Sequence, residues 1–146
     1  MTAADLLTWI STLNSGAQIV GAVIRRHGFV WVPGKTVIGD PGDSASGAFI
    51  RGDRRLEMHF RGRLGLVTYQ VGSAVVGHEE LMRHLGHRAD AEYPGFSSEP
   101  LDGFRLLAHD LESFGGDFMF GSGSTVAGAK EAAEKRAEVG GLGRIP

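Results

Sequence analysis

The chain has 146 residues, no cysteine, 23 glycines and a formal net charge of −2 with a pI near 6.3. That length suits one domain with a full core, burying roughly 70% of the surface its unfolded chain exposes. The near-neutral charge gives no global electrostatic reason to bind nucleic acid, and the lack of cysteine removes disulfides, thiolate metal sites and thiol catalysis together.

The N-terminal stretch MTAADLLTWISTL carries Asp5 early and has no basic lead, so it does not read as a signal peptide. No apolar run approaches the roughly 18 residues of a membrane helix. With no cysteine to oxidise, the expected compartment is the cytoplasm.

Thr2-Ala3-Ala4-Asp5 has the form of a capping box, and Leu6, Ile10 and Leu13 follow at helical spacing with Leu7 and Trp9 widening the face. Ser15-Gly16-Ala17-Gln18 has the form of a second box, ahead of Ile19, Val20, Val23 and Ile24. Arg25, Arg26 and His27 suit a helix C-terminus, and Gly28 suits its stop. The pattern predicts a helix pair, about 3–14 and 16–27; the β-branched residues of 17–24 leave a strand as the competing reading.

Phe29 to Val32 is too short and too β-prone for a helix. Pro33-Gly34 signals a turn, with Lys35 to Gly39 as the return strand. Asp40 to Gly47 consists of turn formers, and Ala48-Phe49-Ile50 reads as a short strand. In Arg54 to Phe60, Leu56, Met58 and Phe60 alternate with Arg55, Glu57 and His59, the period of a sheet packed on one face and wet on the other. Leu64 to Val71 is apolar on both faces, which predicts the central strand, and Ala74 to Val76 a further short one.

His78 to Leu85 reads as a short helix buried through Leu81, Met82 and Leu85 and ended by Gly86. Ser97 or Ser98 is the expected cap of a longer helix with Pro100 in its first turn and an apolar face of Leu101, Phe104, Leu107, Ala108, Leu111 and Phe114. Gly115-Gly116 stops it, and Phe118-Met119-Phe120 reads as a short strand. The composition then shifts. Gly121-Ser122-Gly123-Ser124 reads as a flexible loop, and Thr125 to Val139 as a helix with a thin stripe of Val126, Ala129, Ala133 and Ala137. The expected architecture is therefore α+β: an antiparallel sheet of about four to six strands with helices on one face, and an N-terminal helix pair. Residues 1–120 form the globular domain, and 121–146 form a Gly/Ser linker plus a weakly anchored helix.

Four groups of residues could carry chemistry. Arg55, Glu57, His59 and Arg61 line the wet face of one strand; arginine binds carboxylates with bidentate geometry, so this row is the expected partner-binding site. Glu80, His84 and His87 fall at i, i+4 and i+7, a partial metal set, but Gly86 interrupts the helix and the H-E-x-x-H spacing is absent, so no metal or other cofactor is expected. The segment 51–63 holds five arginines, without the exposed aromatics or reading helix that nucleic-acid modules add. Gly121 to Thr125 has neither the lysine nor the glycine spacing of a phosphate loop. Arg51-Gly52-Asp53 is turn chemistry. Asp102, His109 and Asp110 fall on the polar side of their helix with no serine placed for a triad.

Two N-terminal helices, a Gly28-Phe29-x-Trp31 strand start, an antiparallel meander and late helices resemble the bacterial immunity proteins. The Ala-, Gly- and Arg-rich composition is compatible with a bacterial source. The resemblance implies a small cytoplasmic α+β protein that neutralises a cognate toxin; no diagnostic motif accompanies it, so it assigns no site residue. The leading expectation is a non-enzymatic protein-binding module whose partner is another protein rather than nucleic acid or membrane. A small hydrolase or ligand-binding enzyme using His59 or the Glu80/His84/His87 face is the alternative. A structural subunit of a homo-oligomer is a third reading, with Trp9 and Trp31 as candidates for the face of a homodimer.

Overall fold

A long N-terminal helix lies against a five-stranded antiparallel sheet, in a computed structural model that describes residues 2–37 and 44–142. Helix α1 spans Ala3–Ile24 and is followed by a single 3-10 turn, Arg25–His27. The Thr2 capping box forms as the sequence predicts, with Asp5 N–H donating to Thr2 Oγ1 and Thr2 N–H to the Asp5 carboxylate. Gly28 ends the element with a left-handed φ of 89° that other residues adopt at a cost.

The expected helix pair is one continuous helix. Ser15 and Gly16 start nothing: Gly16 is buried mid-helix with the Phe104 ring lying where its Cβ would stand. This glycine permits close packing on the later helix α3, and that contact outweighs its low helix propensity. Leu7 turns outward, 66% exposed, so the buried stripe runs through Leu6, Leu13, Ala17, Val20 and Ile24.

Strands β1 (Val30–Val37), β2 (Ser44–Arg51), β3 (Arg54–Phe60), β4 (Leu64–Val71) and β5 (Ala74–Gly77) form a simple meander, each paired to the next. Pro33-Gly34 does not turn the chain. It sits inside β1 where the register with β2 shifts, a bulge on an edge strand, where a missing N–H costs little. Residues 44–47, expected as loop, extend β2, and residues 38–43 lie outside the described residues. β4 is not central as expected but one strand in from the edge, between β3 and β5, and Leu66 is 60% exposed because β5 pairs only with residues 68–71 of β4.

Helices α2 (His78–His84), α3 (Asp102–Phe114), α4 (Gly116–Met119) and α5 (Ser124–Leu142) follow the sheet. Neither Ser97 nor Ser98 caps α3; Ser97 Oγ instead donates to Asp102 and receives the Glu99 N–H. The expected strand at Phe118–Phe120 is the helical turn α4. Its Phe118 ring fits between Phe29 and Tyr69, with centroids 5.5 Å and 5.0 Å away, and this packing overrides local β-preference. The inward row Trp31–Phe49–Leu56–Tyr69–Val76 crosses all five strands and meets α1, α3 and α4 side chains in one core.

The Gly121–Ser124 segment is held rather than loose. The Asp117 carboxylate accepts from the Gly123 N–H, the Ser122 hydroxyl, and both the N–H and hydroxyl of Thr125, satisfying donors at the start of α5. Although burial alone would raise the pKa of Asp117, these hydrogen bonds hold it below its ordinary value. Helix α5 packs on α2, β4 and β5 through fully buried Val126 and Ala129, while Ala137 and Val139 are exposed. Its anchorage therefore lies in its first turns.

Candidate functional site

The outward face of the sheet is built by the same two-residue period as the core. One cross-strand row runs Val30–Ile50–Arg55–Gln70–Val75, and the next Val32–Ala48–Glu57–Thr68–Gly77. Ala48 is buried yet does not belong to the core cluster; its neighbours on this outer face cover it. Val30 and Val32 at one edge and Val75 at the other are exposed, so the face presents aliphatic margins around a charged centre.

Arg55, Glu57 and His59 stand in that centre, as their alternation predicts. Glu57 accepts an ion pair from Arg55 at 3.5 Å and lies 3.3 Å from His59 Nε2, and each of the three side chains is about a third exposed. With Gly34, Lys35, Ser44 and Ser46 they line a pocket of about 350 Å³. Arg61 is separate, exposed on the turn after β3. In water-accessible pairs of this kind the charges are screened and mobile, which suits recognition more than stability.

The other candidates disperse. Glu80 pairs with Arg136 of α5 and with Arg83, His84 lies against Gly128, and His87 stacks on Phe114 at 4.2 Å. Among the described residues no three acidic or histidine side chains gather as a metal set. The basic run also divides. Arg51 donates to the carbonyls of His27 and Met119, and Arg54 to those of Asp117, Phe118 and Gly121. Two of its five arginines are thus inward caps on helix ends, and Arg51-Gly52-Asp53 is a turn whose arginine is spent on the fold.

Sequence reasoning missed a buried polar cluster and set Asp110 on the polar side of its helix, whereas its carboxylate is fully buried. His78, at the first turn of α2, is 5% exposed and Asp110, on α3, is fully buried. His78 Nε2 is 2.8 Å from Asp110 Oδ2, and His78 Nδ1 is 2.7 Å from the Tyr69 hydroxyl. Asp110 also accepts the backbone N–H groups of Glu92 and Tyr93 at 2.8 and 3.0 Å, and its Oδ1 lies 3.0 Å from His109 Nδ1. Burial opposes the charged form of Asp110, but the hydrogen bonds from His78, from the two backbone N–H groups and from His109 outweigh it and hold the carboxyl below its ordinary value.

Burial pushes the Tyr69 hydroxyl well up, so it keeps its proton; it is paired with His78 Nδ1, while His78 Nε2 is paired with Asp110. Every polar atom of this chain of groups has a partner. The position of Asp110 at the border of the α3 apolar face was the available signal. Its burial depends on residues 91–93 folding over it, which local periodicity does not encode. No family model, curated protein or solved structure matches this chain.

Proposed function

We propose that this protein is a non-enzymatic protein-binding module, of the inhibitor or immunity kind, that engages its partner with the outward sheet face around Arg55, Glu57, His59 and Arg61. The supporting observation is the contrast in how the polar groups are used. Tyr69, His78 and Asp110, the groups best suited to proton transfer, are buried and fully engaged with one another. Arg55, Glu57 and His59 are half-open to water on a sheet face bordered by exposed valines. A charged centre steers and selects a partner, and the aliphatic margin supplies area that association removes from water.

The size of the face constrains the mode. Five strands roughly 4.8 Å apart and about 20 Å long give a projected footprint of about 480 Å². A standard interface takes about 800 Å² per partner.

Affinity capture from the native lysate with the intact protein, beside an Arg55→Ala/Arg61→Ala bait, tests this reading. One stoichiometric protein held by the first bait and lost from the second is the expected result. A partner retained by both baits places the contact elsewhere, and capture of no protein at all overturns the reading.

A further inference from the structure

Two cavities open on either side of Tyr93 and Pro94. One, of about 350 Å³, is lined by Met82, Ala91 and Phe96, with Arg88 and Glu92 at its mouth. The other, of about 390 Å³, is lined by Leu64, Leu66 and Val67, with Arg63 at its mouth. Both share His78, Glu79, Tyr93 and Pro94, so they are two halves of one groove parted by a ridge. The second half exists because β5 pairs with residues 68–71 of β4 alone, leaving residues 64–67 uncovered on that side.

We propose that this groove is a separate binding site for a segment of another protein, one that seats an apolar side chain on each side of the Tyr93–Pro94 ridge and sets a carboxylate against Arg63.

Three observations carry the assignment. First, two exposed apolar side chains lie along the groove: Phe96 is as exposed as in an extended chain, at 106%, and Leu66 is 60% exposed. Apolar surface concentrated beside a cavity marks a contact site more than apolar residues scattered singly. Second, the ridge is rigidly held before any partner arrives. The buried Asp110 carboxylate receives the Glu92 and Tyr93 N–H groups, and the Tyr93 hydroxyl donates to the Leu64 and Gly65 carbonyls. A wall ordered in advance lowers the entropic cost of binding.

Third, one arginine of the groove stands without a carboxylate partner. Arg88 is taken by Glu79 at 2.9 Å, and Glu92 lies 3.3 Å from His109. Arg63 is exposed, and among the described residues it has no carboxylate within ion-pair distance. A partner bearing Asp or Glu completes that pair, with the bidentate geometry arginine favours.

The site does not depend on the sheet face, and either can fail alone. The test is selection of a displayed random-peptide library on the intact protein, followed by fluorescence-anisotropy titration of the selected synthetic peptides. Peptides with two apolar residues and a nearby Asp or Glu are expected. Their affinity should fall tenfold or more with Phe96→Ala and with Arg63→Glu, and recover in Arg63→Glu when the peptide's acid is changed to Lys. Arg55→Ala should leave it unchanged. Phe96 and Arg63 are exposed, so circular dichroism and Tm should not move and a folding defect is distinguishable. Selection of no peptide, of peptides lacking an acid, or of peptides indifferent to both substitutions overturns the proposal. So does self-association by sedimentation that Phe96→Ala abolishes, which would make the occupant a second copy of this chain.

Discussion

The chain places a histidine beside a carboxylate in two very different settings. His78 and Asp110 are buried at 2.8 Å, whereas His59 and Glu57 lie 3.3 Å apart on the sheet face with about a third of each side chain in water. The chemistry of the pairs is alike, and the surroundings divide their roles. Inside, water cannot replace a lost partner, so the pair is held by additional donors and fixes the geometry of α2, α3 and the segment over them. Outside, water replaces either partner at little cost, so the pair stays available to another molecule.

The largest effect should follow from removing the buried anchor. Asp110→Ala strips the partner from His78, His109 and two backbone N–H groups at once. Breaking a buried pair from one side costs about 3–5 kcal/mol, and urea unfolding followed by tryptophan fluorescence should register a loss of that size. A loss below about 1 kcal/mol would mean that the network is solvated and that the contrast between the two pairs is false.

A smaller and separable effect should appear with pH. Asp110 and Asp117 both titrate below the ordinary value of 3.8 in the folded chain. A carboxyl depressed by folding contributes stability that is fully present above its unfolded value and is lost as pH falls through the folded one. Stability should therefore be flat on this account above about pH 5 and decline below about pH 4. In Asp110→Asn that acid decline should become shallower, as read from thermal unfolding between pH 2 and 6. An unchanged slope would assign the acid sensitivity to other groups.

The smallest effect on stability should come from the exposed pair. Glu57→Gln and His59→Ala should each move unfolding by no more than about 0.5 kcal/mol. The same substitutions should weaken partner capture if the sheet face is the contact. A large stability loss from either would show the outer pair to be structural and would erase the distinction.

How much of this was legible in the sequence depends on the range of the interactions. The Thr2 capping box, the stop at Gly28, the alternation of β3 and the apolar stripe of α3 are local: each follows from residues a few positions apart, and each forms. The outward placement of Arg55, Glu57 and His59 followed from the period of a strand alone. Gly16, Pro33-Gly34 and Phe118 misled for one shared reason. A ring from α3, an edge position beside β2 and a slot between Phe29 and Tyr69 decided their conformations, and those partners are distant in sequence.

The sequence by itself determined the α+β class, the approximate elements and which side of β3 meets water, because hydrophobic periodicity and capping act over one or two turns. The tertiary structure decided the rest. Thirty-two residues separate His78 from Asp110, and more than sixty separate Arg54 from the carbonyls it caps. No local pattern specifies such pairs. They form when burial removes water as the competing partner and each polar group must find another within the fold.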